Sequence, residues 1–431
     1  MEVFSIAILL FSFLLLLSTG TPVAWSIIIA SLFTLLVSVP FLPALTTISQ
    51  RMATGIDSFA LLAIPFFILS GELMNKGGVA HRLVAFAKAL VGFLPGGLAL
   101  INVISAMLMG SVAGSAMASA SAMGSILGPE MEKEGYSKGF GVAINITSAT
   151  TGLVIPPSNI LIVYSLASGG ASIAALFLAG YIPGILTGLF LMAVAIIWAK
   201  KKNFKTGKRA PLKTVFGSFV RAFPSLMLLF VVIGGIVSGV FTATEASAIA
   251  VIYTLVLGFV YKEITFKKLP SILLKSSTTT AIVMFLIGAS MSMSWVLSYE
   301  NIPEMISSGI LSLSDNKIVI LLLINFTLLF VGIFMDMTPA VLIFTPIFLP
   351  IVTKLGIDPV HFGIIMILNL CIGLCTPPVG SVLFVGVGVA NTSIQKVIKP
   401  LIPLFLAMIV ALLLVTYIPA LSLWLPSIFD L

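Results

Sequence analysis

The chain has 431 residues, of which 59% are hydrophobic and only 8% are charged, and its mean hydropathy is +1.23. This composition excludes a soluble globular protein, and the apolar runs along the whole chain indicate a polytopic all-α membrane protein in contact with the lipid bilayer. The formal net charge of +8 at pH 7 comes mostly from lysines in loops, which orient membrane spans, so we expect no nucleic-acid partner.

Ten membrane spans are predicted, five in each half of the chain. No basic region precedes the first apolar run, so residues 3–19 are expected to be a true span and not a cleaved signal. The predicted spans cover residues 3–19, 22–40, 55–75, 140–168, 175–198, 216–240, 245–261, 276–298, 360–390 and 400–425.

Two further apolar stretches, about 98–128 and about 316–353, are not predicted to cross the membrane once. Because basic loops face the cytoplasm, each stretch must enter the membrane and leave it on the same side. Each is therefore interpreted as a re-entrant hairpin, the first opening to the cytoplasm and the second to the periplasm. Their tips are GSVAGSAMASASAMGS (Gly110 to Ser125) and GIFMDMTPAVLIFTP (Gly332 to Pro346).

Two predicted spans contain Pro-Pro pairs, Pro156-Pro157 and Pro377-Pro378. Proline lacks a backbone donor and clashes with the preceding turn, so each pair is predicted to break its helix. Freed carbonyls are costly in hydrocarbon unless they are buried in protein or turned toward an ion or water. Discontinuous helices and hairpin tips near the midplane are typical of binding sites in secondary transporters.

The two Pro-Pro pairs lie 221 residues apart, and this offset reveals a repeat. Glycine and proline set backbone geometry, so their recurrence favours a shared fold over coincidence. We predict repeat one over 1–199, a cytoplasmic linker over 200–214 and repeat two over 215–431. Under this offset, or one residue more, the following pairs come into register: Gly152 with Gly373, Pro129 with Pro350, Gly135 with Gly356 and Gly110 with Gly332.

Loop charge predicts that the repeats are inverted. The basic clusters lie at 76–88, 200–213, 262–275 and 396–399, whereas the four segments equivalent to them under the offset hold a single basic residue, Arg51. Because basic loops face the cytoplasm, each such loop has its equivalent on the opposite side. Both termini are then predicted to be periplasmic.

Polar side chains concentrate around both predicted breaks, in INITSATTG (Ile144 to Gly152) and around Thr376 in the second half. Hard oxygen ligands of this kind suit Na⁺, while half-helix N-termini attract anions. The alternative is that small and hydroxyl-bearing residues serve only close helix packing. Their presence at matching places in both repeats favours binding sites.

Asp336 is an acid at predicted membrane depth, where acids are costly and often functional. It is interpreted either as an ion ligand or gating residue of the second hairpin, or as a hairpin cap that faces water. The acids near predicted span ends are expected either to snorkel toward water or to form scaffold salt bridges: Asp57, Glu72, Glu245 and Glu300. Cys371 and Cys375, at i and i+4, are expected to be small buried residues without disulfide or metal chemistry.

Five stretches together resemble the large membrane subunit of tripartite ATP-independent periplasmic (TRAP) transporters, within the ion transporter superfamily. The resemblance covers essentially the whole chain, and overall likeness leans toward the sialic acid type. The stretches are IPFFILSGELMNKGG (Ile64 to Gly78), MGSVAGSAMASASAMGSI (Met109 to Ile126), ITSATTGLVIPPSN (Ile146 to Asn159), GIFMDMTPAVLIFTPIFLPI (Gly332 to Ile351) and LNLCIGLCTPPVG (Leu368 to Gly380).

The resemblance implies an elevator mechanism, in which two hairpins and two broken helices slide against a scaffold. It implies Na⁺-coupled import of a small organic anion, a carboxylate such as sialic acid or a four-carbon dicarboxylate, across the bacterial inner membrane. A periplasmic substrate-binding protein would deliver the anion, and a small four-helix membrane subunit would widen the scaffold. Because this chain starts at the large subunit, the small subunit is expected to be a separate protein.

The resemblance also implies binding residues, carried over by position, and two or more Na⁺ ions. The first Na⁺ site would involve Ser115, Asn145, Ser148 and Gly152. The second would involve Asp336, Thr338, Gly373 and Thr376. Substrate would lie between the hairpin tips, near Ser158, Asn159 and Gly380.

Two other functions compete with this interpretation. A stand-alone Na⁺/dicarboxylate symporter of the same superfamily would need no binding protein. A channel or passive scaffold is disfavoured, because channels gather several copies around one pore, whereas an inverted repeat in one chain favours alternating access. An enzyme or an ATP-driven pump is not expected, since the sequence has no Ser-His-Asp, HExxH, CxxC or P-loop pattern.

Overall fold

The computed structural model describes residues 2–202, 204, 207, 209–313 and 316–431. Within these ranges every regular element is a helix and no strand occurs. Helices are expected in a lipid bilayer, because a chain in hydrocarbon must form its backbone hydrogen bonds internally. The predicted linker 200–214 is described only in part, since residues 203, 205, 206 and 208 lie outside the described residues.

The first half of the chain forms ten α-helices and one short 3-10 helix in its described part. They are α1 (Glu2–Ser18), α2 (Val23–Leu35), α3 (Phe41–Gly55), the 3-10 helix Phe59–Leu62, α4 (Ala63–Lys76), α5 (Val79–Val91), α6 (Gly97–Ala113), α7 (Ala116–Lys133), α8 (Lys138–Thr151), α9 (Asn159–Ala167) and α10 (Ile173–Lys201).

The second half forms ten more α-helices in the part that is described. They are α11 (Leu212–Val237), α12 (Ala243–Val260), α13 (Leu269–Tyr299), α14 (Ile302–Leu313), α15 (Lys317–Phe334), α16 (Met337–Lys354), α17 (Pro359–Gly373), α18 (Ser381–Val389), α19 (Ile394–Tyr417) and α20 (Ala420–Ile428).

Eight helices of the described chain are long and apolar enough to cross a membrane by length and composition. Six coincide with predicted spans, and the other two are the arms of the second hairpin, α15 and α16. The first two predicted spans form shorter apolar helices, and two more predicted spans are each divided in two. The all-α, multi-span fold class is thereby confirmed.

Both Pro-Pro pairs interrupt their helices, as predicted. Residues 152–158 separate α8 from α9, and residues 374–380 separate α17 from α18. Both Pro-Pro peptide bonds are cis. Helical hairpins form at both predicted places, as α6 with α7 and as α15 with α16; their return to the same side of the membrane stays a prediction.

Glycines bring each hairpin against its neighbouring broken helix. A methyl group on Gly110 of α6 would lie 2.8 Å from Gly152 Cα, and one on Gly373 would lie 2.6 Å from Gly332 Cα of α15. Only glycine permits such an approach of two backbones. The four glycines form equivalent pairs under the sequence offset, which supports the two predicted repeats; the division itself stays a prediction.

The two broken helices meet in the core of the molecule. The Cys371 thiol of α17 donates to Thr150 O at 3.1 Å, and the Cys375 thiol donates to Ile146 O at 3.4 Å. Both cysteines are free and buried. Their small side chains let α17 lie close to α8, so the halves of the chain share one core.

Four short helices were not predicted: α3, α5, α14 and α20. They have 15, 13, 12 and 9 residues, too few to span hydrocarbon. In α5, for example, Leu83 and Ala87 are buried while His81 and Lys88 are exposed. Such helices bury one face against the protein. The predicted span 400–425 is accordingly too long, because α19 ends at Tyr417 and α20 begins a separate helix.

Candidate functional site

A cavity of about 800 Å³ lies between the tips of the two hairpins. Its wall comes from three sources: the hairpin tips, the second halves of both broken helices, and the helices α4 and α13. The polar side chains in this wall are Glu72, Asn75, Lys76, Ser115, Ser121, Ser125, Asn159, Lys275, Thr279, Asp336, Thr338 and Ser381.

Four helix N-termini border this cavity. They are the beginnings of α7, α9, α16 and α18, and the first residue of each helix, or its N-cap, lines the cavity wall. The first backbone N–H groups of a helix lack intrahelical partners and carry partial positive charge. No side-chain cap is present at α9, α16 or α18. Their N–H groups can therefore meet an anion.

The first hairpin presents its N-cap and a neighbouring amide to the cavity. Ser115 caps α7, accepting from Ala118 N at 3.3 Å. A methyl group on Gly114, whose φ is +59°, would lie 3.0 Å from Asn159 Nδ2. The Asn159 amide therefore lies against the hairpin tip, where the left-handed backbone of Gly114 brings the chain close to α9.

The second hairpin presents Asp336 to the cavity. Asp336 occupies the N-cap position of α16 and its side chain does not cap that helix. Instead, the Ser381 hydroxyl donates to Asp336 Oδ1 at 3.5 Å, and Gly380 N donates to Ile333 O at 3.1 Å. The second break is thus tied to the second hairpin through both backbone and side chain.

The residues predicted for the first Na⁺ site do not all lie at this cavity. Ser115 lines it, whereas Asn145 lies farther along and donates to Ala120 O of α7 at 2.7 Å. Asn145 lines a separate small cavity with Asn102. The Ser148 hydroxyl donates to Ile144 O of its own helix, and Gly152 packs on Gly110.

The residues predicted for the second Na⁺ site divide similarly. Asp336 and Thr338 line the cavity. Gly373 packs on Gly332, and the Thr376 hydroxyl donates to Ile372 O at 2.7 Å. The last two lie at the second break, behind the cavity wall. The ion coordination predicted at either site stays a prediction.

Of the residues predicted to bind substrate, Asn159 lines the cavity. Ser158 is only 1% exposed, and its hydroxyl has no hydrogen-bond partner within the described residues. Gly380 is buried, while the next residue, Ser381, reaches the cavity. The sequence does not distinguish Ser158 from Asn159, or Gly380 from Ser381, because the local path of the backbone decides which residue faces the cavity.

The sequence did not predict the wall that α4 and α13 contribute to the cavity. Lys275 of α13 and Glu72 of α4 form an ion pair there, with N–O distances of 2.8 and 2.9 Å. The salt bridge is one of the two roles expected for Glu72, but the sequence did not predict that Glu72 lines the cavity. Glu300 likewise accepts hydrogen bonds from Ser5 and Ser38.

The charges of the cavity wall are unevenly distributed. Its lysines, Lys76 and Lys275, lie on α4 and α13, and Lys275 forms an ion pair with Glu72. The described hairpin tips and breaks contribute Asp336 and no cation to this wall. An anion between the tips would therefore be met by N–H groups, hydroxyls and amides rather than by an arginine or lysine.

Broken helices, helical hairpins and a cavity bordered by helix N-termini are typical of a multi-pass membrane transporter. A family model described as "Tripartite ATP-independent periplasmic transporter, DctM component" matches residues 10–421, and the chain belongs to this family. The family consists of transporter components and not of enzymes, and it places the chain in the inner membrane as one part of a tripartite system.

Relatives match nearly the whole chain. It is 56% identical to "Uncharacterized protein YgiK" of Salmonella typhimurium, over 99% of this chain and 98% of that protein. It is 41% identical to "C4-dicarboxylate TRAP transporter large permease protein DctM" of Pseudomonas aeruginosa, over 86% and 87%. It is 38% identical to "Sialic acid TRAP transporter large permease protein SiaM" of Vibrio cholerae, over 97% and 98%.

A solved structure shares the fold. The chain is similar to the YdaH transporter of Alcanivorax borkumensis, described as having an unusual topology, with a TM-score of 0.65 over 91% of this chain and 90% of that one. Their sequences are 14% identical. The likeness therefore concerns the fold alone.

Proposed function

We propose that this chain is the large membrane subunit of a Na⁺-coupled importer of a small organic anion, a carboxylate such as sialic acid or a four-carbon dicarboxylate. The observation that carries the proposal is the cavity between the hairpin tips, with four helix N-termini and no tip cation in its described wall. A carboxylate between uncapped helix N-termini meets partial positive charge from several directions. Relatives whose names specify sialic acid or C4-dicarboxylates support this substrate class.

Sodium coupling is proposed from the negative charge of Asp336 in the cavity. An anion and the Asp336 carboxylate share one cavity, and the two repel each other in a low dielectric. Na⁺ ions near Asp336 and Thr338, and near Ser115, would offset this repulsion and hold the tips in place. Substrate would then bind well only after Na⁺, which is the differential affinity that coupling requires.

The transport step proposed is an elevator movement. The hairpins and broken helices would move together, as the glycine contacts and the shared cysteine region suggest, against a scaffold that includes α4 and α13. Two partners are proposed, a periplasmic substrate-binding protein and a small four-helix membrane subunit, because the family is one component of a tripartite transporter. From the distribution of basic loops, both termini of the chain are proposed to be periplasmic.

The alternative is a stand-alone Na⁺/dicarboxylate symporter. It has the same need for a Na⁺ site and an anion site, so the cavity itself does not distinguish the two functions. The family match favours the tripartite system.

Uptake of radiolabelled sialic acid into proteoliposomes tests the proposal. The chain is reconstituted with its small membrane partner under an inward Na⁺ gradient, with or without the binding protein. Uptake that needs both Na⁺ and the binding protein supports the tripartite importer. Uptake without the binding protein supports the stand-alone symporter. If sialic acid and four-carbon dicarboxylates are both inert under every condition, the proposed substrate class is wrong.

A further inference from the structure

A further cavity, of about 700 Å³, lies away from the proposed transport site between α5 and α11. Its wall is strongly basic. Arg82, Lys213, Arg221 and His81 line it, against one carboxylate, Glu263. His81 and Arg82 lie on α5, and Lys213 and Arg221 lie in the N-terminal half of α11. The positive-inside rule places this end of α11 in the cytoplasm, so the cavity sits at the level of lipid headgroups.

One cation in this cavity is held in a fixed orientation. Arg82 donates from Nη1 to Gly78 O at 2.8 Å, and its guanidinium carbon lies 3.6 Å from the centre of the Tyr261 ring. A guanidinium stacked in this way loses little freedom when it binds an oxyanion, and its remaining N–H donors suit phosphate oxygens.

The polar lining of α11 follows one helical face. Lys213, Gly217 and Arg221 recur every four residues, as helix geometry requires for a common face. On α5, His81, Arg82 and Ala85 provide the opposing wall. Phe86 of α5 contacts Phe219 of α11, with ring centroids 5.6 Å apart, which joins the two helices beneath the cavity.

An apolar stripe continues from the basic cavity along α11. It is exposed on the protein surface and recurs at helical spacing, so it faces the acyl region of the bilayer. Its members, with their exposed fractions, are Phe216 (69%), Val220 (51%), Phe223 (41%), Met227 (38%) and Phe230 (70%). A ligand with an anionic head and long apolar tails matches both surfaces at once.

We propose that this cavity binds the headgroup phosphate of an anionic phospholipid whose acyl chains lie along the α11 stripe. Basic pockets at membrane helices on the cytoplasmic side bind such headgroups. The site lies on the α5–α11 side and does not depend on the transported anion or on Na⁺. It would attach this part of the protein to the inner leaflet.

Native mass spectrometry of the purified full chain, with phosphatidylglycerol as the probe, tests this proposal. The variant is Lys213→Gln/Arg221→Gln, because both side chains are exposed and both line the cavity. Loss of two cations should weaken phosphatidylglycerol binding roughly 30-fold. Glu263→Gln should strengthen binding, since it removes the one acid of the wall.

The matched control is Lys200→Gln/Lys201→Gln, which removes two exposed cations at the end of α10, outside the cavity. It should leave phosphatidylglycerol binding within about twofold of the native chain. Competition by inorganic phosphate alone at millimolar concentration would assign the site to free phosphate and overturn the lipid proposal. Equal loss in the two double variants would also overturn it, because binding would then follow net charge. Binding of phosphatidylcholine as strong as that of phosphatidylglycerol would overturn the proposal as well. Displacement of the lipid by the small membrane partner would also overturn it.

Discussion

The two hairpin–break units share one backbone plan but meet the cavity differently. Residues 152–158 of the first break are all buried, whereas Pro378 and Val379 of the second break are exposed. The first unit brings neutral side chains to the cavity and the second brings Asp336. Equivalent backbones have thus been given different environments by the helices that cover them.

The covering helices explain the difference. Gly180 and Gly184 of α10 allow that helix to lie directly on Val154 and Ile155 of the first break. The positions 221 residues later are Leu401 and Phe405, whose side chains do not permit such an approach. The second break therefore keeps an open side, and we expect changes there to affect ligand binding more than folding.

The largest effect is expected for Asp336→Asn. Loss of this charge removes the acid that the described tips bring to the cavity, so Na⁺-dependent uptake should fall roughly 100-fold, near the upper range of measured coupling. Uptake into proteoliposomes across a series of Na⁺ concentrations measures the loss. Glu304→Gln, an exposed acid outside the cavity, should transport normally. Undiminished Na⁺ dependence in Asp336→Asn would remove this residue from the ion site.

The burial of the first break is tested by Gly180→Ala. The added methyl group would clash with Val154 O, which should destabilise the protein by about 1–3 kcal/mol and lower its melting temperature in detergent. Gly234→Ala serves as the control, because a methyl group there meets nothing within 4 Å. Equal melting temperatures for both variants would show that α10 does not hold the first break.

A smaller effect separates the neighbours Ser158 and Asn159. Asn159→Ala should raise the Michaelis constant for the anion roughly tenfold, since it removes a neutral donor from the cavity wall. Ser158→Ala should change it about twofold or less, because that hydroxyl is buried behind the wall. The Michaelis constants from uptake kinetics decide the order, and a larger change in Ser158→Ala would reverse the assignment of the two residues.

The smallest effect is expected for the ion pair between Lys275 and Glu72. Lys275 is 55% exposed at its side chain and Glu72 is 14% exposed, and partly exposed pairs of this kind contribute about 1 kcal/mol or less. Stability measurements on Lys275→Gln, Glu72→Gln and the double variant give the coupling directly. A coupling several times larger would mean that the pair is shielded from water.

Local patterns predicted most of the fold. Long apolar runs predicted the spans, and the Pro-Pro pairs predicted the helix breaks. Both signals are local, because hydropathy and proline affect the structure of the residues nearest to them in the chain. The short helices α3, α5 and α14 were not predicted, since a run of 12 to 15 residues with mixed polarity resembles a loop. The helix α20 was merged with the predicted span 400–425, because its apolar residues continue that run.

The candidate site was predicted less completely than the fold. The tips and the acid Asp336 carry a visible signal, as polar residues in apolar surroundings. The opposite wall does not, because Glu72 and Lys275 lie 203 residues apart in sequence and meet only through packing of α4 on α13. The sequence also did not predict that Asn145 and Ser115 line different cavities. Their separation depends on the position at which α7 packs along α8.

The contact between α8 and α17 has a practical consequence. The native thiols, Cys371 and Cys375, are both 0% exposed and lie against backbone carbonyls of the facing helix. A water-soluble maleimide should therefore leave the native chain unlabelled in either direction of the transport cycle. A cysteine introduced at Asn159 or Ser381 could then report on accessibility from one side of the membrane without prior replacement of the native thiols.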